Sequence, residues 1–254
     1  MDAGGIRTLW LPDPIRACLF DLDGVLTDTA RVHAAAWKEI FDAYLSDRAS
    51  HAGEQLRPFD LDHDYEDYVD GKPRSDGVRS FLASRGIDLP EGSPGDPPDL
   101  PTVSGLGNRK EKLVLHTIRE RGVEPYPGSL RFVHAVRDAG LRTAVVSSST
   151  HTREVLEAAG IESLFEVRID GTVAERERLE GKPAPDTYLT AARRLGIARG
   201  HAAVFEDALA GVEAGRAGRF GYVVGVDRSG HAEALREHGA DVVVRDLAEL
   251  VSSP

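Results

Sequence analysis

Three acids crowd one short stretch, "CLFDLDGVLTDT" at residues 18–29: Asp21 and Asp23 stand two apart with Gly24 directly behind them, and Asp28 follows. Three later pieces are also rich in groups that handle charge. "VVSSS" ends in hydroxyls at Ser147, Ser148 and Ser149, "GKPAPDTYL" sets Lys182 before two prolines, and "FEDALAG" joins Glu206 to Asp207. Phosphoryl transfer is the chemistry that uses all four. A carboxylate attacking a phosphate monoester is repelled by its charge, and a hard divalent cation such as Mg²⁺, bound through oxygen ligands, offsets that repulsion. A lysine and a serine hydroxyl neutralise and hold the remaining phosphate oxygens. One carboxylate attacks while a second protonates the leaving oxygen. Acids at i and i+2 share a face while the chain is extended and diverge if the strand ends between them. Gly24 permits the positive φ that such a turn demands.

Each piece alone also has a bland reading. An acidic strand end can be a simple turn, Lys182 can be solvated, Asp207 can cap a helix, and the serines can open a polar loop. Their order and their placement at strand ends argue for a common site. "IRACLFDLD", "LRTAVVSSS" (141–149), "HAAVFED" (201–207), "GYVVGVD" (221–227) and "ADVVVRD" (240–246) read as strands. "HTREVLEAAG", "PDTYLTAARRLG" and "ALAGVEAGRAG" alternate with the later ones at helical spacing and stop at glycine. This pattern predicts an α/β fold: a Rossmann-like parallel sheet flanked by helices, with ligands outside the carboxyl ends of its strands. Between the first strand and the rest, "RVHAAAWKEIFDAYL", "SDGVRSFLASRG" and "GNRKEKLVLHTIRERG" read as helices. The expected domains are therefore an α/β core of 1–31 and 125–254 and an all-helical cap of 32–124. Residues 88–105, rich in proline and glycine, read as an exposed, mobile loop. An insert leaving just after the first strand can act as a lid.

In this order, "DLDGVLTDT", "VVSSST", "GKPAPDTYL" and "FEDALAGVEAG" resemble the four motifs of the haloacid dehalogenase-like superfamily, across essentially the whole chain. The helical insert resembles the C1 cap of one of its subclasses. The resemblance implies that Asp21 forms an aspartyl-phosphate with Asp23 as general acid and base. It implies Mg²⁺ held by the Asp21 side chain, the Asp23 carbonyl and Asp207, assisted by Glu206, with Ser147 and Lys182 gripping the transferred group. The superfamily's dehalogenases usually lack the second aspartate of the first motif, so Asp23 favours phosphate chemistry.

The cap is similar to that of the β-phosphoglucomutase-like subfamily. His33 and Trp37 lie four apart and share a helix face. The resemblance implies that His33 couples sugar binding to proton transfer, while Trp37 reads first as packing beside it. "DGKPRSDG" (70–77) resembles the specificity loop, with Gly71 and Arg74 matching and Arg74 holding the non-reacting phosphate. Lys110, with Arg109 one position away, matches a sugar-site lysine, and Ser148, Ser149 and His151 lie where the distal phosphate is held from the core side. Two positions depart from the pattern. Asp70 stands where a lysine is usual, with Lys72 a candidate for the missing charge, and His151 stands for an asparagine.

The expected function is thus Mg²⁺-dependent phosphoryl transfer on a hexose phosphate through a sugar bisphosphate. β-Phosphoglucomutase action leads, a sugar-phosphate phosphatase is the alternative, and an idle sugar-phosphate sensor is a third reading disfavoured by the intact acids and lysine. "EGKP" lacks the glycine-rich lead of a nucleotide-binding phosphate loop. With 254 residues, 41% hydrophobic and 29% charged, the chain has the composition of a folded globular protein, and its formal charge of −11 argues against general binding to nucleic acid or anionic membranes. Cys18 is the sole cysteine, so no internal disulfide forms, and its apolar neighbours mark a buried thiol. No apolar run approaches the roughly 20 residues needed to span a bilayer, and the N-terminus does not read as a signal peptide. A cytoplasmic monomer acting on small sugar phosphates is the expectation.

Overall fold

The computed structural model describes residues 9–52 and 57–252. The chain divides into two compact units, one of residues 1–28 and 123–254 and the other of residues 29–122. Among the described residues no helix is long and apolar enough to cross a membrane.

The first unit is built on six parallel strands in the order β3-β2-β1-β4-β5-β6. They are β1 (Ala17–Phe20), β2 (Arg142–Val146), β3 (Val167–Ile169), β4 (Ala202–Glu206), β5 (Tyr222–Val226) and β6 (Val242–Val244). β1 lies in the centre, with Cys18 opposite Thr143 on one side and Ala203 on the other. A central parallel strand is covered on both faces, which is why "ACLF" is apolar throughout rather than alternating. Successive side chains still point to opposite faces. Ala17 and Leu19 join Ala144, Val146, Ala202 and Val204 beneath Tyr188, Ala191 and Leu195 of α7 (Asp186–Leu195), which follows α5 (Thr152–Ala158) and α6 (Gly171–Glu177) in the chain. On the other face Phe20 stacks on Phe205 at 4.7 Å between ring centroids and meets Phe132 of α4 (Pro127–Asp138) edge-on at 6.1 Å. Cys18 is fully buried, and burial pushes its thiol well above the usual range, so it is packing rather than a nucleophile.

β3 was not among the strands expected from the sequence. Three residues are too few to show an alternation, and Arg168 in the middle breaks the apolar run. The strand is an edge, where a short, charged segment discourages further pairing. Arg168 is held by Asp170 at 2.8 Å.

The second unit contains α1 (Ala30–Ala52), α2 (Arg74–Ser84) and α3 (Val103–Arg121), with a π-helical turn at Tyr65–Val69 ahead of α2. Its core is aromatic: Phe41 stacks on Trp37 at 5.1 Å and lies 4.1 Å from Phe81, beside Phe59. α3 begins several residues before the expected stretch because Thr102 caps it, its hydroxyl accepting from the Gly105 N–H at 2.9 Å. Gly105 reads as a helix breaker in sequence, yet a Cβ there would fall 2.2 Å from the Leu100 carbonyl oxygen, so the glycine is what lets loop and helix meet. The preceding proline-rich loop is largely exposed, as expected, and is cross-tied by Asp96, whose carboxylate accepts from the Thr102 hydroxyl at 2.7 Å and the Ser93 N–H at 3.1 Å.

Phe20→Ala is expected to cost about 3–5 kcal/mol of stability, since it removes a fully buried ring from a packed face. Urea denaturation checks this, and a loss below about 1 kcal/mol would contradict the packing described.

Candidate active site

The carboxyl edge of β1, β2 and β4 gathers the predicted core residues. Asp21 follows β1, its N–H donating to the Phe205 carbonyl at 2.9 Å, so the strand pairing continues one residue and holds the side chain at the sheet edge. Glu206 ends β4 on the same face as Val204, and Asp207 follows it. Ligand oxygens of Asp21, Glu206 and Asp207 lie within 4.8 Å of one another. The Asp23 carboxylate is not part of that cluster, and Asp23 sits in a turn where it bridges to Thr27 and the Gly24 N–H donates to the Thr27 carbonyl at 2.8 Å. Gly24 has φ +86°, and a Cβ there would lie 1.7 Å from Asp207 Oδ2. Both facts require glycine.

Lys182 reaches this cluster from the segment before α7. Its ammonium, 1% exposed, donates to Asp21 Oδ1 at 2.5 Å and to the Val146 carbonyl at 3.3 Å, and pairs with Glu206. Glu206 is fully buried, accepts from the Tyr188 hydroxyl at 2.8 Å and from the Ala208 N–H at 3.3 Å, and packs so closely on Gly211 that a Cβ there would fall 1.8 Å from it. Tyr188 was not singled out from the sequence, although it lies within the lysine motif one helical turn into α7. Its phenol is raised well above the ordinary value by burial and by the neighbouring Glu206 carboxylate, so it stays protonated and donates.

The charges do not balance. Asp21, Glu206 and Asp207, with Asp23 nearby, face the single ammonium of Lys182. Burial is the largest influence on Asp21 and pushes its carboxyl well above the usual range; Lys182 opposes this, while Glu206 and Asp23 add to the rise. Burial would by itself weaken the Lys182 cation, but Asp21 and Glu206 outweigh it and hold the ammonium charged. The surplus of buried negative charge, an all-oxygen donor set and a glycine that makes room for Asp207 fit a hard divalent cation.

At the end of β2, Ser147 is buried, its N–H donating to the Ile169 carbonyl at 3.0 Å. Its hydroxyl accepts from the Ser149 N–H at 3.1 Å, a role that leaves the hydroxyl proton available to an anion. Ser148 lies at the close approach of this loop to Gly171, where a Cβ would fall 2.9 Å from the Ser148 carbonyl oxygen. The Ser149 hydroxyl accepts from the His151 N–H at 3.2 Å, and His151 Nδ1 faces Glu154 at 3.5 Å.

In the helical unit a second group of predicted residues converges. Lys110 is 4% exposed; its ammonium lies 2.8 Å from His33 Nδ1 and 5.0 Å from the centroid of the Trp37 ring. An ammonium has only donors, so His33 Nδ1 accepts and its ring proton sits on Nε2. Trp37 is buried and belongs to the aromatic core, as the packing reading expected. Arg74 opens α2 with its guanidinium 3.5 Å from Glu111, and its stem lies 3.5 Å from where a Cβ of Gly107 would be. Gly71, at φ +67°, turns the chain into α2. Lys72 donates to the Asp67 carbonyl at 2.7 Å and to Ser80 at 3.4 Å, so its charge is directed into its own unit. The Asp70 N–H closes the π-helical turn on the Tyr65 carbonyl at 2.9 Å. Asp28 is the last residue of the α/β unit's first segment and accepts from the Tyr126 hydroxyl at 2.8 Å.

The family model described as "Hydrolase: haloacid dehalogenase-like hydrolase" matches residues 15–219. The chain is 56% identical over 248 residues to a β-phosphoglucomutase of Mycobacterium tuberculosis, covering 96% of this chain and 95% of that one. It is 30% identical over 238 residues to a β-phosphoglucomutase of Bacillus subtilis, covering 93% and 92%. Among solved structures, β-phosphoglucomutase from Clostridium difficile superposes with a TM-score of 0.70 at 24% identity, covering 93% of each chain.

The raised carboxyl of Asp21 makes a pH-dependent prediction. The folded, metal-free protein retains a proton that the unfolded chain has released, so this group's contribution to stability falls as pH rises from the ordinary carboxylate value through the raised one. A divalent cation favours the ionised form, and its affinity should rise with pH as it expels that proton. Titration calorimetry in two buffers of different ionisation enthalpy should detect net proton release in mildly acidic solution; none at any pH would uncouple Asp21 from cation binding.

Proposed function

Because the chain belongs to the haloacid dehalogenase-like hydrolase family, in its β-phosphoglucomutase subfamily, we propose that it interconverts β-glucose 1-phosphate and glucose 6-phosphate with Mg²⁺ as its cofactor. The observation that carries this reading is the buried Asp21–Lys182–Glu206 cluster with Asp207 beside it, in a chain so similar to the mycobacterial enzyme.

In this reading Asp21 is the nucleophile. An Asp21 oxygen forms a bond to phosphorus as the bond from phosphorus to the sugar oxygen breaks, and Asp23 delivers a proton to the departing oxygen. The transferred group then resides on Asp21. In the return step Asp23 removes the proton from the free 6-hydroxyl of an incoming β-glucose 1-phosphate, that oxygen attacks phosphorus, and Asp21 is released as the bisphosphate forms. A sugar bisphosphate is the species common to both halves. Lys182 neutralises charge on the transferred group, and Ser147 donates its hydroxyl proton to one of its oxygens. Mg²⁺, held by Asp21, Asp207 and the Asp23 carbonyl with Glu206 in support, would supply the positive charge that brings two anions together.

The helical unit supplies sugar recognition. Lys110 and His33 meet sugar oxygens, the imidazole offering its Nε2 proton, and Trp37 fixes Lys110 by offering its ring face to the ammonium. Arg74, on the turn made by Gly71, binds the phosphate that is not transferred. One observation favours the alternative of a sugar-phosphate phosphatase. Asp70 stands where the subfamily usually carries lysine, and Lys72 is engaged by Asp67 and Ser80.

³¹P NMR of the protein with Mg²⁺, β-glucose 1-phosphate and a trace of glucose 1,6-bisphosphate distinguishes the two. Glucose 6-phosphate should grow without free phosphate, and dominant inorganic phosphate would select the phosphatase. Asp21→Asn should abolish both products; substantial turnover, with deamidation excluded, would remove the aspartyl-phosphate route. Arg74→Ala should weaken bisphosphate binding roughly 10- to 100-fold, the worth of a lost charged hydrogen bond, while sparing hydrolysis of a small one-phosphate ester. Equal losses for both substrates would remove Arg74 from the distal phosphate.

A further inference from the structure

The turn that carries Asp23 is gripped from outside at three consecutive carbonyls. Arg228 Nε donates to Gly24 O at 3.2 Å, the Ser129 hydroxyl donates to Val25 O at 2.6 Å, and the Tyr126 N–H donates to Leu26 O at 2.9 Å. Arg228 takes part in more than one of these holds. Its Nη2 donates to Ser129 Oγ at 3.3 Å, which directs the single proton of that hydroxyl to Val25, and its guanidinium lies 3.9 Å over the Tyr126 ring. The remaining edge of the guanidinium is fixed by Asp246 at 3.0 Å and the Arg245 carbonyl at 2.9 Å. Asp246 is itself immobilised, accepting from the Ala248 N–H at 2.8 Å, and Gly128 leaves it room, since a Cβ there would fall 1.6 Å from its carboxylate.

A planar fork with five N–H groups can stack on one ring and bond along its edges at once, which a lysine cannot do. We infer that Arg228 is a positioning residue for phosphoryl transfer: it holds the Gly24 carbonyl directly and the Val25 carbonyl through Ser129, and through them sets the direction of the Asp23 carboxyl. The inference rests on the acid–base reading of Asp23 proposed above. Gly24, one residue from Asp23 and packed on Asp207, leaves the turn little freedom to recover if the Gly24 carbonyl is released.

The test separates transfer that needs a proton from transfer that does not. Single-turnover transfer from glucose 1,6-bisphosphate to the enzyme expels an alkoxide that Asp23 must protonate, whereas the burst of dinitrophenolate from 2,4-dinitrophenyl phosphate needs no acid. At saturating Mg²⁺, Arg228→Met should slow the first by roughly 10- to 100-fold more than the second, a part of what a general acid contributes. Arg228→Lys should recover part of the difference, and Ser129→Ala, which serves if Arg228→Met does not fold, should show the same selectivity. Equal slowing of both reactions, or no slowing, in the variants that fold overturns the positioning role. Asp23→Asn run beside them isolates the premise. If it also slows both reactions equally, the acid–base reading fails and takes this inference with it; if it alone is selective, only Arg228 loses its role.

Discussion

One buried ammonium organises the α/β unit. Lys182 is removed from water, and a desolvated charge survives only where its partners are close and well oriented. Asp21 and Glu206 meet that demand from the ends of two adjacent strands, Tyr188 and the Ala208 N–H hold Glu206, and the Val146 carbonyl takes a further proton of the lysine. Having satisfied Lys182, the carboxylates remain in excess. That excess fits a hard divalent cation.

Backbone geometry carries the next constraint. β1 ends at Phe20 and the chain turns at Gly24, leaving the Asp23 carboxylate outside the cluster of Asp21, Glu206 and Asp207. The turn lies against Asp207, closes on itself through Thr27, and offers its outward carbonyls to Arg228, Ser129 and Tyr126. The last of these comes from the segment by which the chain re-enters the α/β unit, where Thr27 pairs with Pro125 and Asp28 accepts from Tyr126. The turn that carries Asp23 and the departing and returning chain are thus one hydrogen-bonded assembly.

The helical unit handles its buried cation differently. Lys110 has an imidazole nitrogen and an aromatic face among its neighbours, softer partners than the paired carboxylates around Lys182. Arg74 is likewise steadied by Glu111 at 3.5 Å, a longer separation than a tight bidentate pair adopts, and it retains partial exposure.

Much of this was legible in the chain itself. "ACLF" followed by Asp-x-Asp, the hydroxyl run after "VV", the lysine before two prolines and the acids closing "AVFE" each combine a strand pattern with a charged end, and such local signals survive because side chains on a central parallel strand have little choice of environment. The β3 edge was not legible, since three residues with a central arginine carry no periodicity, and the start of α3 was hidden by glycines whose purpose is close approach. Tertiary structure alone decided the partnerships. Glu206 faces Lys182 and Tyr188, Arg228 reaches Gly24 across 204 positions of sequence and Ser129 across 99, and Lys110 meets His33 across 77. Residue type and local spacing determine what a group can donate or accept; which group receives it depends on how the sheet and helices stack, a property of packing that no local window contains.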